Sequence, residues 1–192
     1  MDKKYNKIIL ITAPSGAGKT SIIRYLMQKF PQLAFSVSAT NRKPRDNEQD
    51  GLDYYFISET EFKDKIHHKE FLEWEMVYEG KYYGTLKDEI ERIWALNKVP
   101  VLDIDVQGAI HVQQQYPVNT FSIFIQPPSI DELKARLQSR GSETEESLQA
   151  RVNKSSFEMT FKSYFENVIV NKDFQTACKE AEKMVATFLE NE

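Results

Sequence analysis

The sequence contains a single cysteine, Cys178, and no uncharged apolar run long enough to cross a membrane. One cysteine excludes internal disulfides and is typical of a reducing compartment, and a spanning helix needs about 20 apolar residues. The N-terminal residues include an acid and only a short apolar run before Pro14, which argues against a signal peptide. We therefore expect a cytoplasmic protein with no membrane partner.

A strong net charge is also absent. The 25 basic and 29 acidic residues leave a formal charge of −4, which gives no general reason to expect nucleic acid as a partner. Any bound phosphate must therefore be held by local basic clusters. The 192 residues, 41% of them hydrophobic, suffice for one domain or one core with insertions. No pattern determines the oligomeric state.

Short apolar segments alternate with helical patterns along much of the chain. Buried strands are predicted at 8–12, 33–37, 99–104, 121–125 and 168–170. One of the helical patterns begins with a capping box of Ser129 and Glu132 and closes on Gly141. Strands that alternate with helices favour a mainly parallel sheet with helices on both faces.

Two regions interrupt this alternation. Residues 38–85 are polar and contain a short strand at 54–57, a capped helix from Ser58 and an alternating segment at 71–78, which predict a small inserted mixed or antiparallel sheet. Residues 127–157 have no strand pattern. The predicted division is a core (1–37, 86–126 and 158–192), an insertion (38–85) and a third region (127–157).

The segment "APSGAGKT", residues 13–20, matches all but the first position of the phosphate-binding loop pattern G-x-x-x-x-G-K-[ST]. Its glycines let backbone N–H groups surround an anion, Lys19 can reach the outer phosphates, and Thr20 can ligate Mg²⁺. Ala13 replaces the first glycine and is compatible with the loop at a negative φ, which we predict. The alternative is a flexible turn. The predicted loop comprises Ala13, Pro14, Ser15, Gly16, Ala17, Gly18, Lys19, Thr20 and Ser21.

Two acids lie at the C-terminal end of the third predicted strand, in "VPVLDID". Alternation along a strand places Asp103 and Asp105 on one side, at the strand end where α/β proteins bind ligands. Asp103 also resembles a Walker B acid, which holds the metal directly or through water. The alternative for either acid is that it caps a helix starting near Val106.

Basic and acidic side chains of the insertion are candidates for recognition. Arg42 and Arg45 lie near Tyr54, and arginines bind phosphate oxygens in pairs, although "RKPR" alone is also typical of a solvated loop. In "FLEWEMVY", Glu73 and Glu75 alternate with apolar residues, so both acids should face away from an apolar side. The pattern alone does not choose between them.

Three arginines mark residues 127–157. Arg136 and Arg140 are four residues apart on one predicted helix, and Arg151 lies on the next. They are either ordinary exposed arginines or cations that face a bound nucleotide.

Taken together, these segments resemble guanylate kinases, which belong to the nucleoside monophosphate kinase group of phosphate-loop (P-loop) proteins. The likeness covers essentially the whole chain, through "SVSATNRKPR", "DGLDYYF", "EFLEWEMVYEGKYYGT", "VLDIDVQGA", "PPSIDELKARLQSRGSETEESLQARV" and "VIVN". It implies an α/β three-layer sandwich of the P-loop NTPase type, with a mainly parallel five-stranded core sheet, a mixed β insertion that binds GMP, and a helical lid at 127–157. The implied reaction transfers the γ-phosphate of ATP, with Mg²⁺, to GMP or dGMP.

The resemblance also implies roles for individual residues. The implied GMP site comprises Ser38, Arg42, Arg45, Tyr54, Glu73, Tyr83, Thr85, Asp103 and Asp105. The implied catalytic cations are Lys19, Arg42, Arg136, Arg140 and Arg151. The implied ATP site comprises the loop residues together with Arg136 and Asn171. Thr20 and Asp103 are the implied metal ligands. Which of the two aspartates serves the metal and which serves guanine stays open.

The chain departs from the family pattern at Ala13, at Thr85, where serine is frequent, and at Lys172, which follows Asn171 in place of an acid. Two alternatives compete with the kinase. One is a guanylate-kinase-like module that binds peptides and has typically lost the phosphate loop. The other is a kinase for a different nucleoside monophosphate.

Overall fold

The computed structural model describes residues 6–139 and 145–190, except for the side chain of Tyr78. Within these residues the larger sheet has five strands, all parallel, in the order β2-β7-β1-β8-β9. The strands are Ile8–Thr12 (β1), Leu33–Phe35 (β2), Val99–Asp103 (β7), Thr120–Gln126 (β8) and Asn167–Val170 (β9). All five predicted core strands are confirmed.

Two of these strands end earlier than predicted, β2 by two residues and β7 by one. After Phe35, the N–H of Ser36 still bonds to Val101, but the N–H of Val37 donates to Glu89 Oε1 at 3.1 Å. A side chain therefore replaces the neighbouring strand as the hydrogen-bond partner, and the ladder ends.

Helices cover both faces of the core sheet, as predicted. The α-helices of the described chain are Lys19–Lys29 (α1), Glu59–His67 (α2), Lys87–Ala95 (α3), Val106–Gln115 (α4), Ile130–Gln138 (α5), Glu145–Met159 (α6) and Phe174–Glu190 (α7), and a 3-10 helix spans Thr160–Tyr164. Ile9 and Ile11 pack on the side of α1 and α7, whereas Ile8 and Leu10 pack on the side of α3 and α4. The period-2 alternation of a strand thus supplies two separate apolar layers. Cys178 is fully buried in α7.

A second sheet lies within the predicted insertion. Its four strands, in the order β4-β3-β6-β5, are Ala39–Thr40 (β3), Tyr55–Phe56 (β4), Phe71–Tyr78 (β5) and Lys81–Leu86 (β6). β3 pairs parallel with β4 and antiparallel with β6, so the sheet is mixed. Helix α2 begins at the predicted cap, where Ser58 Oγ accepts from the N–H of Glu61 at 3.1 Å.

One expectation for β5 is wrong in part. The residues that alternate with the two glutamates were expected to form its apolar side, yet Trp74 and Met76 are 46% and 49% exposed. β5 is an edge strand, and the Phe62 ring of α2 stacks on Phe71, at the start of β5, and on Tyr82 of β6, which is paired with Met76. Glu73 is only 7% exposed, so it is the acid-bearing side that faces into the protein.

The third region consists of α5 and α6. Helix α5 starts at the predicted cap, where Ser129 Oγ accepts from the N–H of Glu132 at 3.1 Å, whereas the predicted end at Gly141 lies outside the described residues. Leu133, Leu137, Leu148 and Val152 form a small apolar cluster between the two helices. Among the described helices, none has the length and apolar character needed to cross a bilayer.

Candidate active site

The predicted phosphate loop connects β1 to α1. Gly16 and Gly18 have φ values of 92° and 98°, which glycine adopts without strain, and Gly18 directly precedes the first turn of the helix. Ala13 is not among the described residues with positive φ, so its predicted negative φ is confirmed. Backbone N–H groups and the positive end of the helix dipole therefore converge at one place, which is suited to an anion.

Three side chains from distant parts of the chain contact this loop. The amide of buried Asn171 donates to the carbonyl of Ala17 at 2.8 Å, and a Cβ atom at Gly18 would collide with that amide. Arg151 Nη2 donates to Ser15 Oγ at 2.8 Å. Arg136 Nη2 donates to the carbonyl of Asn171 at 3.0 Å. Both described arginines of the third region therefore reach the loop or its support, while Arg140 lies outside the described residues.

Lys19 links the loop to the acid at the end of β7. Its Nζ lies 2.5 Å from Asp103 Oδ1 and donates to the carbonyl of Ile104 at 3.1 Å. The cavity around the loop has a volume of about 370 Å³, and Lys19, Thr20, Asp105 and Arg151 are among its lining residues. A cation, a hydroxyl and a carboxylate thus meet in a space suited to a phosphate chain.

A second cavity of about 220 Å³ adjoins the first, and Asp105 lines both. Its lining includes Ser38, Tyr54, Glu73, Tyr83, Asp103 and Asp105. Thr85 and Arg42 do not line this cavity, but each is hydrogen-bonded to a residue that does, Thr85 to Glu73 and Arg42 to Tyr83. Arg45 is exposed. Apart from Arg45, the sequence-predicted recognition residues therefore line this cavity or contact its lining residues, and they come from both sheets.

Glu73 is a buried acid of this cavity whose pKa is raised. Burial raises its pKa to about 7, against the lowering effect of the Thr85 hydroxyl, which donates to Oε1 at 2.6 Å. Glu75 lines the same cavity, and its Oε2 is buried with no hydrogen-bond partner among the described residues. Both glutamates face the cleft, and the hydroxyl on the neighbouring strand β6 distinguishes Glu73 from Glu75.

The two aspartates occupy different environments. Asp105 is the N-cap of α4, because its Oδ1 accepts from the N–H of Gly108 at 2.7 Å. The capping alternative therefore applies to Asp105, which still lines both cavities. Asp103, in contrast, pairs with Lys19 and ends β7.

A larger cavity of about 610 Å³ lies on the other side of Glu73, with Trp74, Lys87 and His111 in its lining. Neither the loop nor any candidate arginine lines it. We therefore place the candidate active site at the two smaller cavities.

Sequence reasoning missed one charged partner in this region. Glu48 forms a two-point contact with Arg42, with both N···O distances at 2.6 Å. The nearby signal was an acid three residues after Arg45, but an acid in a charged loop predicts no particular partner.

The fold and the two adjoining cavities define a phosphate-loop protein built to hold two ligands side by side, as a nucleotide kinase does. Comparison with known proteins gives the family. The guanylate kinase family model matches residues 5–188. The chain is 45% identical to guanylate kinase of Bacteroides fragilis over 95% of this chain and 90% of the relative. It is also 45% identical to guanylate kinase of Porphyromonas gingivalis, over 95% of this chain and 98% of the relative.

A crystal structure of guanylate kinase from Anaplasma phagocytophilum is similar over 98% of this chain and 89% of that one, with a TM-score of 0.77 and 26% identity. The chain therefore belongs to the guanylate kinase family, whose members are enzymes that phosphorylate GMP with ATP. The predicted resemblance and fold class are confirmed.

Proposed function

We propose that this protein transfers the γ-phosphate of ATP to GMP or dGMP and so produces ADP and GDP or dGDP for purine nucleotide metabolism. One observation carries the proposal: the cavity of the phosphate loop adjoins a cavity containing a buried, guanine-compatible carboxylate, and Asp105 lines both. Two nucleotides bound in these cavities would lie with their phosphates facing each other. Positioning of this kind supplies much of the catalysis in phosphoryl transfer.

Glu73 is the proposed guanine-reading residue. Guanine presents N1–H and N2–H₂ as adjacent donors, which one ionised carboxylate accepts as a pair. Adenine lacks that pair and would leave the buried Glu73 unsatisfied, which is a strong basis for discrimination. The Ser38 hydroxyl is the proposed donor for guanine O6, whereas Thr85, whose one proton goes to Glu73 Oε1 at 2.6 Å, is proposed to orient that carboxylate toward guanine.

The phosphate of GMP is assigned to the cations and hydroxyls at the other end of the cavity. Tyr54 and Tyr83 line this end, and Arg42 Nε donates to the Tyr83 hydroxyl at 3.1 Å. Arg45 follows in the same loop and is exposed. Arginine forks and tyrosine hydroxyls together supply the several donors that a phosphate accepts.

The remaining cations are assigned to the transferring phosphoryl group. Lys19 and Arg151 line the loop cavity, Arg136 lies beside it, and Arg140 is assigned with them from the sequence alone. Cations spread over this group stabilise the charge that develops in the transition state. We propose that 127–157 acts as a lid whose closure excludes water, 38–85 as the GMP-binding insertion, and 1–37, 86–126 and 158–192 as the core.

Mg²⁺ accompanies ATP in the proposed reaction, and the donor set is compatible with it. Thr20 and Asp103 offer hard oxygen atoms on either side of Lys19, and Mg²⁺ needs only one or two such ligands when phosphates and water complete its shell. When bound, the ion neutralises charge on the phosphates. We assign Asp103, next to Lys19, to the metal, directly or through water, and Asp105, next to Glu73, to the guanine side.

An ADP-forming assay with ATP, Mg²⁺ and GMP tests the proposal directly. We expect turnover with GMP and dGMP, and GMP should exceed AMP, UMP and dTMP by orders of magnitude in kcat/KM. Absence of turnover would favour the peptide-binding module, and preference for another acceptor would favour a different monophosphate kinase. The intact loop with its Lys19–Asp103 pair supports the enzyme. We propose a cytoplasmic location, where both nucleotides are available.

A further inference from the structure

The guanidinium of Arg42 is held on every side. Its Nη1 and Nη2 atoms each donate to one oxygen of Glu48 at 2.6 Å, Nη1 also donates to the carbonyl of Lys43 at 3.0 Å, and Nε donates to the hydroxyl of Tyr83 at 3.1 Å. Its carbon lies 4.9 Å from the ring centroid of Tyr54. An arginine fork has five N–H donors, and these four hydrogen bonds use four of them, which leaves one N–H on Nη2 for a further acceptor.

Glu48 is itself fixed by the turn that carries it. Its N–H donates to the carbonyl of Arg45 at 3.0 Å, and its Oε2 accepts from the N–H of Arg45 at 2.8 Å. The side chain is 16% exposed, and the hydrogen bond from Arg42 holds the pKa of Glu48 at about 2. Glu48 is therefore an ionised part of a closed turn, not a side chain free to leave.

The two edges of the Arg42 guanidinium face different partners. The Nη1–Nη2 edge is taken by Glu48, which does not line the cavity, whereas the Nε side contacts Tyr83, which does. Because the Tyr83 hydroxyl accepts from Nε, its own proton is available for an oxygen in the cavity. Glu48, Arg42 and Tyr83 thus form a chain of hydrogen bonds that ends at the proposed phosphate position.

We infer that Glu48 is a positioning residue for GMP, which holds Arg42 in the orientation that lets Arg42 and Tyr83 bind the acceptor phosphate together. This inference rests on the proposed function. A carboxylate and two arginines also leave one net positive charge beside the dianionic phosphate. The competing interpretation is that Glu48 occupies Arg42 in place of the phosphate and must be displaced. The two interpretations predict opposite effects of removing its charge.

The test replaces the carboxylate with an amide in Glu48→Gln. We expect KM for GMP to rise about tenfold, the effect of a lost charge-assisted contact, while KM for ATP stays unchanged. A fall in KM for GMP would show that Glu48 competes with the phosphate for Arg42 and would overturn the inference. An unchanged KM for GMP would overturn it as well. Glu59→Gln is the matched control, because Glu59 is an acid of the same insertion paired with Lys63 on the exposed surface.

Two further measurements separate positioning from a general loss of structure. Calorimetric titration should show weaker binding of GMP to Glu48→Gln but unchanged binding of guanosine, which has no phosphate. Equal weakening of both ligands would indicate distortion of the whole pocket and contradict the inference. The double variant Glu48→Gln/Tyr83→Phe should weaken GMP binding by less than the two single effects combined, because both changes break the same chain of hydrogen bonds. Wild-type protein without GMP turnover would overturn the proposed function itself.

Discussion

The side-chain amide of Asn171 donates a 2.8 Å hydrogen bond to the carbonyl oxygen of Ala17, at the centre of the phosphate loop. Asn171 directly follows β9, one of the two edge strands of the core sheet as described, and is 5% exposed. The absence of a Cβ at Gly18 makes room for the amide. The resemblance assigns Asn171 to ATP, and the geometry shows that it also braces the loop that we propose binds the phosphates.

Replacing Asn171 should therefore impair ATP use. Asn171→Ala leaves the Ala17 carbonyl unpaired, and Asn171→Asp sets a carboxylate against it, so we expect KM for ATP to rise in both and more in Asn171→Asp. Steady-state kinetics at saturating GMP measure this effect. Asn167→Ala is the matched control, because Asn167 also donates to a backbone carbonyl, that of Ser122 at 3.1 Å, away from the loop. An equal rise in KM for ATP in the control would contradict the assignment.

Lys19 and Ala13 should differ sharply in their importance. Lys19→Met removes the cation that belongs to the loop itself, and we expect turnover to fall by at least about 100-fold, as for loss of one transition-state donor. Ala13→Gly should change turnover little, because Ala13 already has a compatible φ and directly follows β1, ahead of the two loop glycines. Both are checked in the ADP-forming assay. A large rate gain in Ala13→Gly would show that alanine strains the loop.

Some features of this site were predictable because they depend on neighbours in the sequence. The loop and the Ser58 and Ser129 caps each involve residues a few positions apart. The choice between Glu73 and Glu75 was not, since alternation puts both on one side and only Thr85, on another strand, distinguishes them. The contact of Asn171 with Ala17 joins residues 154 positions apart, which no local pattern specifies.

The pH dependence of kcat/KM for GMP should reflect the ionisation of Glu73. Its pKa is raised to about 7 by burial, and only the ionised form accepts both guanine donors. As pH falls below about 7, the ionised fraction falls, so kcat/KM for GMP should drop by about tenfold per pH unit. The phosphate of GMP also titrates near pH 6, so the profile is compared with that of Glu73→Gln. Identical profiles in the two proteins would exclude Glu73 as the titrating group.

Replacing Gly108 with alanine should weaken the use of GMP without lowering the stability of the fold. A Cβ at Gly108 would lie 2.8 Å from Glu73 Oε2, so Gly108→Ala should push the carboxylate out of position and raise KM for GMP. Alanine is favoured over glycine within a helix by about 0.5–1 kcal/mol, and the displaced group is the end of a flexible side chain, so thermal stability should not fall. Kinetics and thermal unfolding are measured on the same preparation. Loss of stability with unchanged KM would mean that the helix moves instead of Glu73.

Glu89 should be the acid whose loss costs the most stability. Its side chain is 1% exposed and accepts from Arg92 Nε and Nη2 at 2.8 Å each, from the Tyr55 hydroxyl at 2.9 Å and from the N–H of Val37 at 3.1 Å. These contacts join α3, the second sheet and the end of β2. Glu89→Ala leaves several donors unpaired, so we expect the free energy of unfolding to fall by about 3 kcal/mol, measured by urea denaturation.

The stabilisation by Glu89 should also depend on pH, and the direction follows from its pKa. Burial raises the pKa of Glu89, but its hydrogen bonds, led by those from Arg92, outweigh burial and lower it overall. A lowered pKa in the folded state means that the stabilisation is present above the ordinary glutamate pKa of about 4.3 and is lost as pH falls below it. The stability difference between wild type and Glu89→Gln should therefore shrink between about pH 5 and pH 3. A stability difference that stays constant over this range would show that ionisation of Glu89 contributes nothing to the free energy of unfolding.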